Sequence, residues 1–353
     1  MKIPTEPIGS IPRPVYLTNA MRAFAANQIT HEELLSAQDQ ALIDTIRQFE
    51  ETGSPVITDG EQSKSSFVTY PLEGMVQLAS DGIVIPFADG HTRQLPRLTG
   101  GRFKYSIHAN RYLNKAKAYT TLPVKQAVIS ASALSLLYPA DGIAGYPRDQ
   151  FVADLLDEAE SDIRMCLQDG AHTVQIDFTE ARLAVKLDPS RALLRMLIDL
   201  NNQVLDRFTA KERIHIGVHT CPGGDHDSTH SADVDYADLL PDLFNLRVSN
   251  FYLEYAAEKN KKDILKLIRR LIKPSQRVYL GVTNVLNPRV ESNEEICDLV
   301  QEAASYISPD QLGTTDDCGF SPFADDVSTA REVAFAKIKA RVEGTALAES
   351  KLG

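Results

Sequence analysis

No stretch of about 18 apolar residues occurs in the 353-residue sequence, which excludes a membrane-spanning helix. No lysine- or arginine-rich run occurs either. With a net charge of -11 and a pI near 5.3, neither nucleic acid nor an anionic membrane is an expected partner. Met1-Lys2-Ile3-Pro4 leads directly into a Pro/Gly-rich stretch and lacks the apolar segment of a secretion signal. The four cysteines are widely spaced, which favours a reducing, cytoplasmic setting where cysteine serves as core or ligand rather than disulfide. Tryptophan is absent. What is left is a long acidic chain, able to bury a sizeable core and suited to a small-molecule partner.

Strand and helix patterns alternate along it. Pro7 to Pro14 reads as a short strand stopped by prolines, and Leu34, Leu35, Ala41, Leu42, Ile46 and Phe49 recur at helical spacing before a Gly53 stop. Pro55 to Glu61 is a second strand. From about Asp81 to Ile107 the pattern changes to two extended stretches around Ala88-Asp89-Gly90, a hairpin inserted after the second strand. Alternation then resumes with strands at Val124–Ser130, His172–Asp177, Ile214–His219, Phe251–Glu254, Arg277–Val282 and Gln311–Thr315, separated by helices; a long helix spans Ser328–Glu349. About eight strands joined through helices imply parallel crossovers. The length suits a single α/β domain over 1–353, a (β/α)8 TIM-type barrel, with an open doubly wound sheet as the alternative.

Ile214 to Gly224 ends a strand in a Pro-Gly-Gly breaker, so His219 and Cys221, two residues apart, project from one face. In a barrel all strands end at one mouth. His219 and Cys221 from the fifth strand, Glu254 from the sixth and Cys318 from the eighth would then converge, with Ile8, Gly9, Ser10, Glu61 and Asp177 lining the same mouth. Two thiolates, an imidazole and a displaceable carboxylate form a tetrahedral zinc set open to an incoming thiol. Glu258 competes with Glu254 for the carboxylate position. Cys166 and Cys297 fall on apolar helix faces and read as core. His226 and His230 read as loop or capping residues rather than a second metal pair.

These residues carry a resemblance. Ile8-Gly9-Ser10 with Pro12-Arg13, Asp59-Gly60-Glu61, Ile176-Asp177, His219-x-Cys221, a strand-end Glu254 and Asp317-Cys318-Gly319, in this order, are similar to the catalytic C-terminal barrel of cobalamin-independent methionine synthase. The same superfamily contains uroporphyrinogen decarboxylase and the epoxyalkane–coenzyme M transferases. The resemblance implies zinc held by His219, Cys221, Glu254 and Cys318, and Ser10, Glu61 and Asp177 holding the amino-acid part of homocysteine. Glu254 and Asp177 are the expected catalytic residues.

The chain departs from that pattern where the family binds folate. The family's N-terminal half is missing, Phe178 replaces a second acid, and Ser130-Ala131-Ser132-Ala133 replaces the Gly-Pro-Val-Thr that precedes a pterin-stacking tryptophan. The expected activity is zinc-dependent alkylation of a small thiol: methyl transfer to homocysteine from a donor other than polyglutamylated folate, the donor seated beside Tyr138, Phe178 and Phe320. Epoxide opening by a coenzyme M-like thiol is the alternative, in which Arg13, Lys64 or Arg182 would face the sulfonate. Outside this chemistry stand a metal-free decarboxylase-like enzyme and a non-catalytic, zinc-stabilised binding protein. Self-association into a homo-oligomer stays open.

Overall fold

In the computed structural model, which describes residues 2–353, six parallel strands form one sheet. In barrel order these are the third to eighth strands: Gln126–Ile129, Val174–Asp177, Ile216–Thr220, Asn250–Leu253, Arg277–Gly281 and Leu312–Thr315, each paired to the next. The first and second positions are held by single parallel bridges, Thr5 to Thr314 and Ile57 to Val124. Prolines 4, 7, 12, 14 and 55 explain the brevity, since each lacks the donor a ladder needs. Closure comes from Ile11 N donating to Gly60 O at 3.0 Å and Thr58 Oγ1 donating to Gly9 O at 2.8 Å. The result is a TIM-type α/β barrel.

Apart from half-buried Arg277 the strands are buried along their whole length, because helices cover the outside and side chains fill the inside. Several helices start on capping boxes legible as Ser/Thr-x-x-Glu, for example Thr30 with Glu33 and Ser292 with Glu295. Helices at Val15–Ala25, Asn110–Lys117 and Glu180–Leu187 add to those the periodicity picks out. Inside the barrel, glycines make room for aromatic rings. A Cβ on Gly217 would lie 2.6 Å from the Tyr252 ring, and one on Gly313 2.4 Å from that of Tyr279. Those two tyrosines stack at 4.6 Å and fill the layer beneath the mouth.

After the second strand the chain forms two nested antiparallel ladders, Leu78–Ala79 with Arg97–Leu98 and Val84–Pro86 with Thr92–Gln94. Gly90, at φ +94, supplies the left-handed residue of the tip. The tip lies on the loop beyond the fifth strand, where Ala88 N donates to Thr229 O at 2.9 Å. A segment far away in sequence thus roofs the mouth.

Candidate metal centre and substrate cavity

Alternation along the fifth strand sends Gly217, His219 and Cys221 inward, and the same rule brings Cys318 in from beyond the eighth. The ligand atoms of His219, Cys221 and Cys318 lie within 4.8 Å of one another, all three residues buried, and the two sulfurs are 3.0 Å apart. His219 Nδ1 is 3.2 Å from Tyr252 O, an acceptor, so Nδ1 carries the ring proton. That leaves Nε2 a lone pair, and it is buried with no hydrogen-bond partner. An unsatisfied acceptor beside two sulfurs is what a metal would complete, so the residues present fit a zinc ion. The hydrogen bond from Cys221 holds the Cys318 thiol well below its usual range against burial; the proton stays on Cys221, which is pushed up.

Glu254 does not join these three. Its Oε2 accepts from Arg182 at 2.9 Å, and the same guanidinium nitrogen donates to Glu258 at 2.7 Å. Burial, with Asp317 adding, raises the Glu254 carboxyl well above its usual range against the pull of Arg182. The two carboxylates that compete as ligands are therefore bridged by one arginine. Asp317 accepts from the backbone N–H groups of Tyr255, Ala256 and Ala257, each at 2.8 Å, which fixes the chain after Glu254 beside Cys318. Burial pushes the Asp317 carboxyl up to about 7 despite those three donors. In the sequence Asp317 stands out only as part of Asp317-Cys318-Gly319, with no sign of this task.

A cavity opens over the cluster, with about 70 Å³ free to the centres of water-sized spheres. Ile8, Gly9, Ser10, Glu61 and Asp177 all line it, as the strand-end rule leads one to expect. Gly60 and Glu61 are both left-handed, at φ +63 and +57, and this strained turn points Glu61 inward. Lys64 pairs with it at 2.9 Å. Burial pushes the Asp177 carboxyl up to about 7, against the pull of His219. Gly319 permits the close approach of two loops, for a Cβ there would stand 2.2 Å from Ser10 Oγ. Arg13 ties the first strand to the second and eighth loops by donating to the carbonyls of Glu61, Lys64, Ser321 and Phe323.

The far wall differs from the expected one. Tyr138, Phe178 and Phe320 do not line the cavity; Phe67, Phe87 and Phe323 do, with Val68, Ile85 and Pro322. Phe178 follows the inward Asp177 and so points outward into the strand–helix layer, fully buried. Tyr138 is held on the outside by its hydroxyl's bond to Tyr146 O. Ile85 and Phe87 come from the inserted ladders, as does Arg93, whose guanidinium makes four hydrogen bonds to Asp225 and Asp325. His230, read from sequence as a loop residue, also faces the cavity, while His226 lies apart with Asp225 and Asp326. Cys166 and Cys297 are buried in helices away from the cluster.

An α/β barrel with an imidazole and two thiols gathered at its mouth defines the general class of protein. The family model for the catalytic domain of cobalamin-independent synthase matches residues 3–340, and the chain belongs to that family, a methionine synthase-like group of methyltransferases. The methionine synthase of Pyrococcus furiosus is 23% identical over 322 residues, covering 90% of this chain and 86% of that protein. The methionine synthase of Sulfolobus acidocaldarius is 25% identical over 354 residues, covering 99% and 93%. A solved B12-independent methionine synthase from Shewanella sp. W3-18-1, in complex with selenomethionine, shares the fold with a TM-score of 0.77 at 18% identity, covering 100% of this chain and 99% of that one. No helix among the described residues is long and apolar enough to cross a membrane.

Proposed function

We propose that this chain is a zinc-dependent thiol S-alkyltransferase whose principal reaction is methyl transfer to homocysteine. The observation that carries the reading is the unpartnered His219 Nε2 facing the paired sulfurs of Cys221 and Cys318 at the floor of the cavity. These three residues would hold the metal, and zinc bound there would lower the pKa of an incoming thiol so that its sulfur is a nucleophile at neutral pH. Glu254 serves as the reserve fourth ligand, kept by Arg182 until the thiol is absent or gone. Asp177 and Glu61 form an acidic edge that suits the ammonium of an amino-acid thiol. Ser10 and the backbone of Ile8 and Gly9 bound the slot beside them. Relatives bearing the methionine synthase name support the same substrate.

The far wall supports a reading of the donor. It is built from Phe67, Val68, Ile85, Phe87, Pro322 and Phe323, and its one arginine is consumed by two aspartates. Such a wall offers no partner for a polyglutamate tail, which favours a neutral alkyl donor. It also disfavours a sulfonate thiol such as coenzyme M. Arg13, Lys64 and Arg182, the cations that would have to meet the sulfonate, are all engaged elsewhere. Metal analysis of the purified protein, followed by assay of the zinc-loaded form with homocysteine and either methyltetrahydrofolate-triglutamate, methylcobalamin or an epoxide, tests the reading. About one zinc per chain and product with a donor other than the triglutamate are expected. A metal-free protein active on none of them would overturn it.

A further inference from the structure

His230 stands on the cavity wall, on the loop beyond the fifth strand, and the chemistry above leaves it unused. Its Nδ1 lies 2.9 Å from Ser231 Oγ, and that hydroxyl spends its single proton on Pro222 O at 3.0 Å. Towards the ring the hydroxyl can only accept, so Nδ1 carries the proton and Nε2 a free lone pair. Nε2 lies against Gly223, where a Cβ would stand 1.8 Å away, and Phe87 meets the ring edge-on at 5.5 Å. Of the carboxylates that line the cavity, Glu61 pairs through one oxygen with Lys64 at 2.9 Å and Asp177 accepts through one oxygen from Gln175 at 2.7 Å.

We propose that His230 is a catalytic residue, the proton relay between the thiol and the leaving group of the alkyl donor. The assignment rests on the thiol-alkylation reading. As the thiol S–H bond breaks, its proton forms a new bond to Nε2. As sulfur bonds to the alkyl carbon, the carbon–leaving-group bond breaks, its electron pair goes to the leaving atom, and that atom takes the proton from Nε2. The thiol and donor thus become thioether and protonated leaving group, and the imidazole is regenerated. Burial, with Lys186 and Arg182 nearby, pulls the His230 pKa down to about 4. The ring is therefore neutral when the thiol arrives, and the imidazolium, once formed, gives its proton up readily.

Two measurements test this. Nitrogen-15 spectra of histidine-labelled protein at pH 7, compared with His230→Gln, should assign the lost signals to an Nδ1–H tautomer; an Nε2–H tautomer would overturn the proposal. Single-turnover alkylation of homocysteine by 1,2-epoxypropane, whose leaving oxygen must gain a proton, should be slowed about 10²–10⁴-fold in His230→Gln. Zinc content and homocysteine binding should stay at wild-type levels, since Gln offers an acceptor but cannot carry the proton. A loss below threefold overturns the relay. Should the Gln variant lose zinc, the decision passes to zinc-loaded His230→Ala, whose rate added imidazole should restore; no restoration overturns it. A His230→Gln protein that alkylates homocysteine as fast as wild type sinks the relay alone, whereas wild type that binds no thiol sinks the alkylation reading and the relay with it.

Discussion

The barrel interior holds two sets of buried polar groups, and they are treated in opposite ways. Beneath the tyrosine layer, Glu6 accepts from Tyr252 Oη at 2.6 Å, Lys125 donates to Pro7 O at 2.8 Å, and the Lys125 ammonium lies 3.4 Å from the Tyr252 ring centroid. Burial alone would raise the Glu6 carboxyl, yet His172, Lys125 and Tyr252 together hold it at about 2. At the mouth, by contrast, His219 Nε2 lacks a partner, two sulfurs lie 3.0 Å apart, and Asp177 and Asp317 are pushed up to about 7. A satisfied buried network stabilises; an unsatisfied one is costly and marks a place where a ligand finishes the structure. One barrel thus separates stability from chemistry by height along its axis.

The sharpest way to break that comparison is to change the thiols. Cys221→Ser and Cys318→Ser should each lose the metal and nearly all activity, while Cys166→Ser and Cys297→Ser keep the metal. Full zinc occupancy in either of the first two variants would return that cysteine to the core. The lower set should behave in the opposite sense. Lys125→Met leaves Glu6 buried without its cation and should cost about 3–5 kcal/mol of unfolding free energy, read by denaturant titration. Metal binding and turnover per folded molecule should survive. A Lys125→Met protein that is stable but inactive would show that the lower network serves chemistry after all.

How much of this was legible in the sequence follows the same division. The upper set could be found because barrel strands end at one face, so His219, Cys221 and Cys318 could be gathered without knowing a single contact. Glu6 and Lys125 could not. Each looks like an ordinary charged residue near a chain terminus or strand start, and only closure of the barrel, which sets the first strand across from the third, makes them partners 119 positions apart, as the interval from 6 to 125 gives. Arg182 bridging Glu254 and Glu258 was hidden for the same reason, and so was the task of Asp317. The roof was hidden most deeply: extended stretches around residue 90 were readable, but not that Phe87 and Arg93 would reach loops more than 100 residues later. The aromatic wall was misassigned to Tyr138, Phe178 and Phe320 because an aromatic next to a strand end points outward as readily as inward, and one residue of phase decides which.

Acid sharpens the comparison further. Glu6 has a folded pKa of about 2 against an ordinary 4.5, so its stabilisation is present above about pH 4.5 and is lost as the pH falls towards 2. The shift corresponds to roughly 3 kcal/mol. Stability of the wild type should therefore decline through that window, and Glu6→Gln, less stable at neutral pH, should decline less. Parallel acid curves for the two proteins would show that Glu6 is not the group responsible.

The smallest expected effect lies at the roof. Phe87 is 8% exposed, stacks on His91 at 4.3 Å and lines the cavity over the cluster. Phe87→Ala would remove apolar surface from the donor side and admit water. A change of about 1–2 kcal/mol is expected from the lost contact area, which appears as a rise of about tenfold in KM for the alkyl donor. Homocysteine binding and zinc content should not move if, as proposed, the thiol sits against the first, second and fourth strands and not against the insertion. The measurement is a pair of saturation curves, one for each substrate, on Phe87→Ala and wild type. An equal rise in both KM values would mean that the roof shapes the whole cavity, and that the apolar wall does not read the donor separately from the thiol.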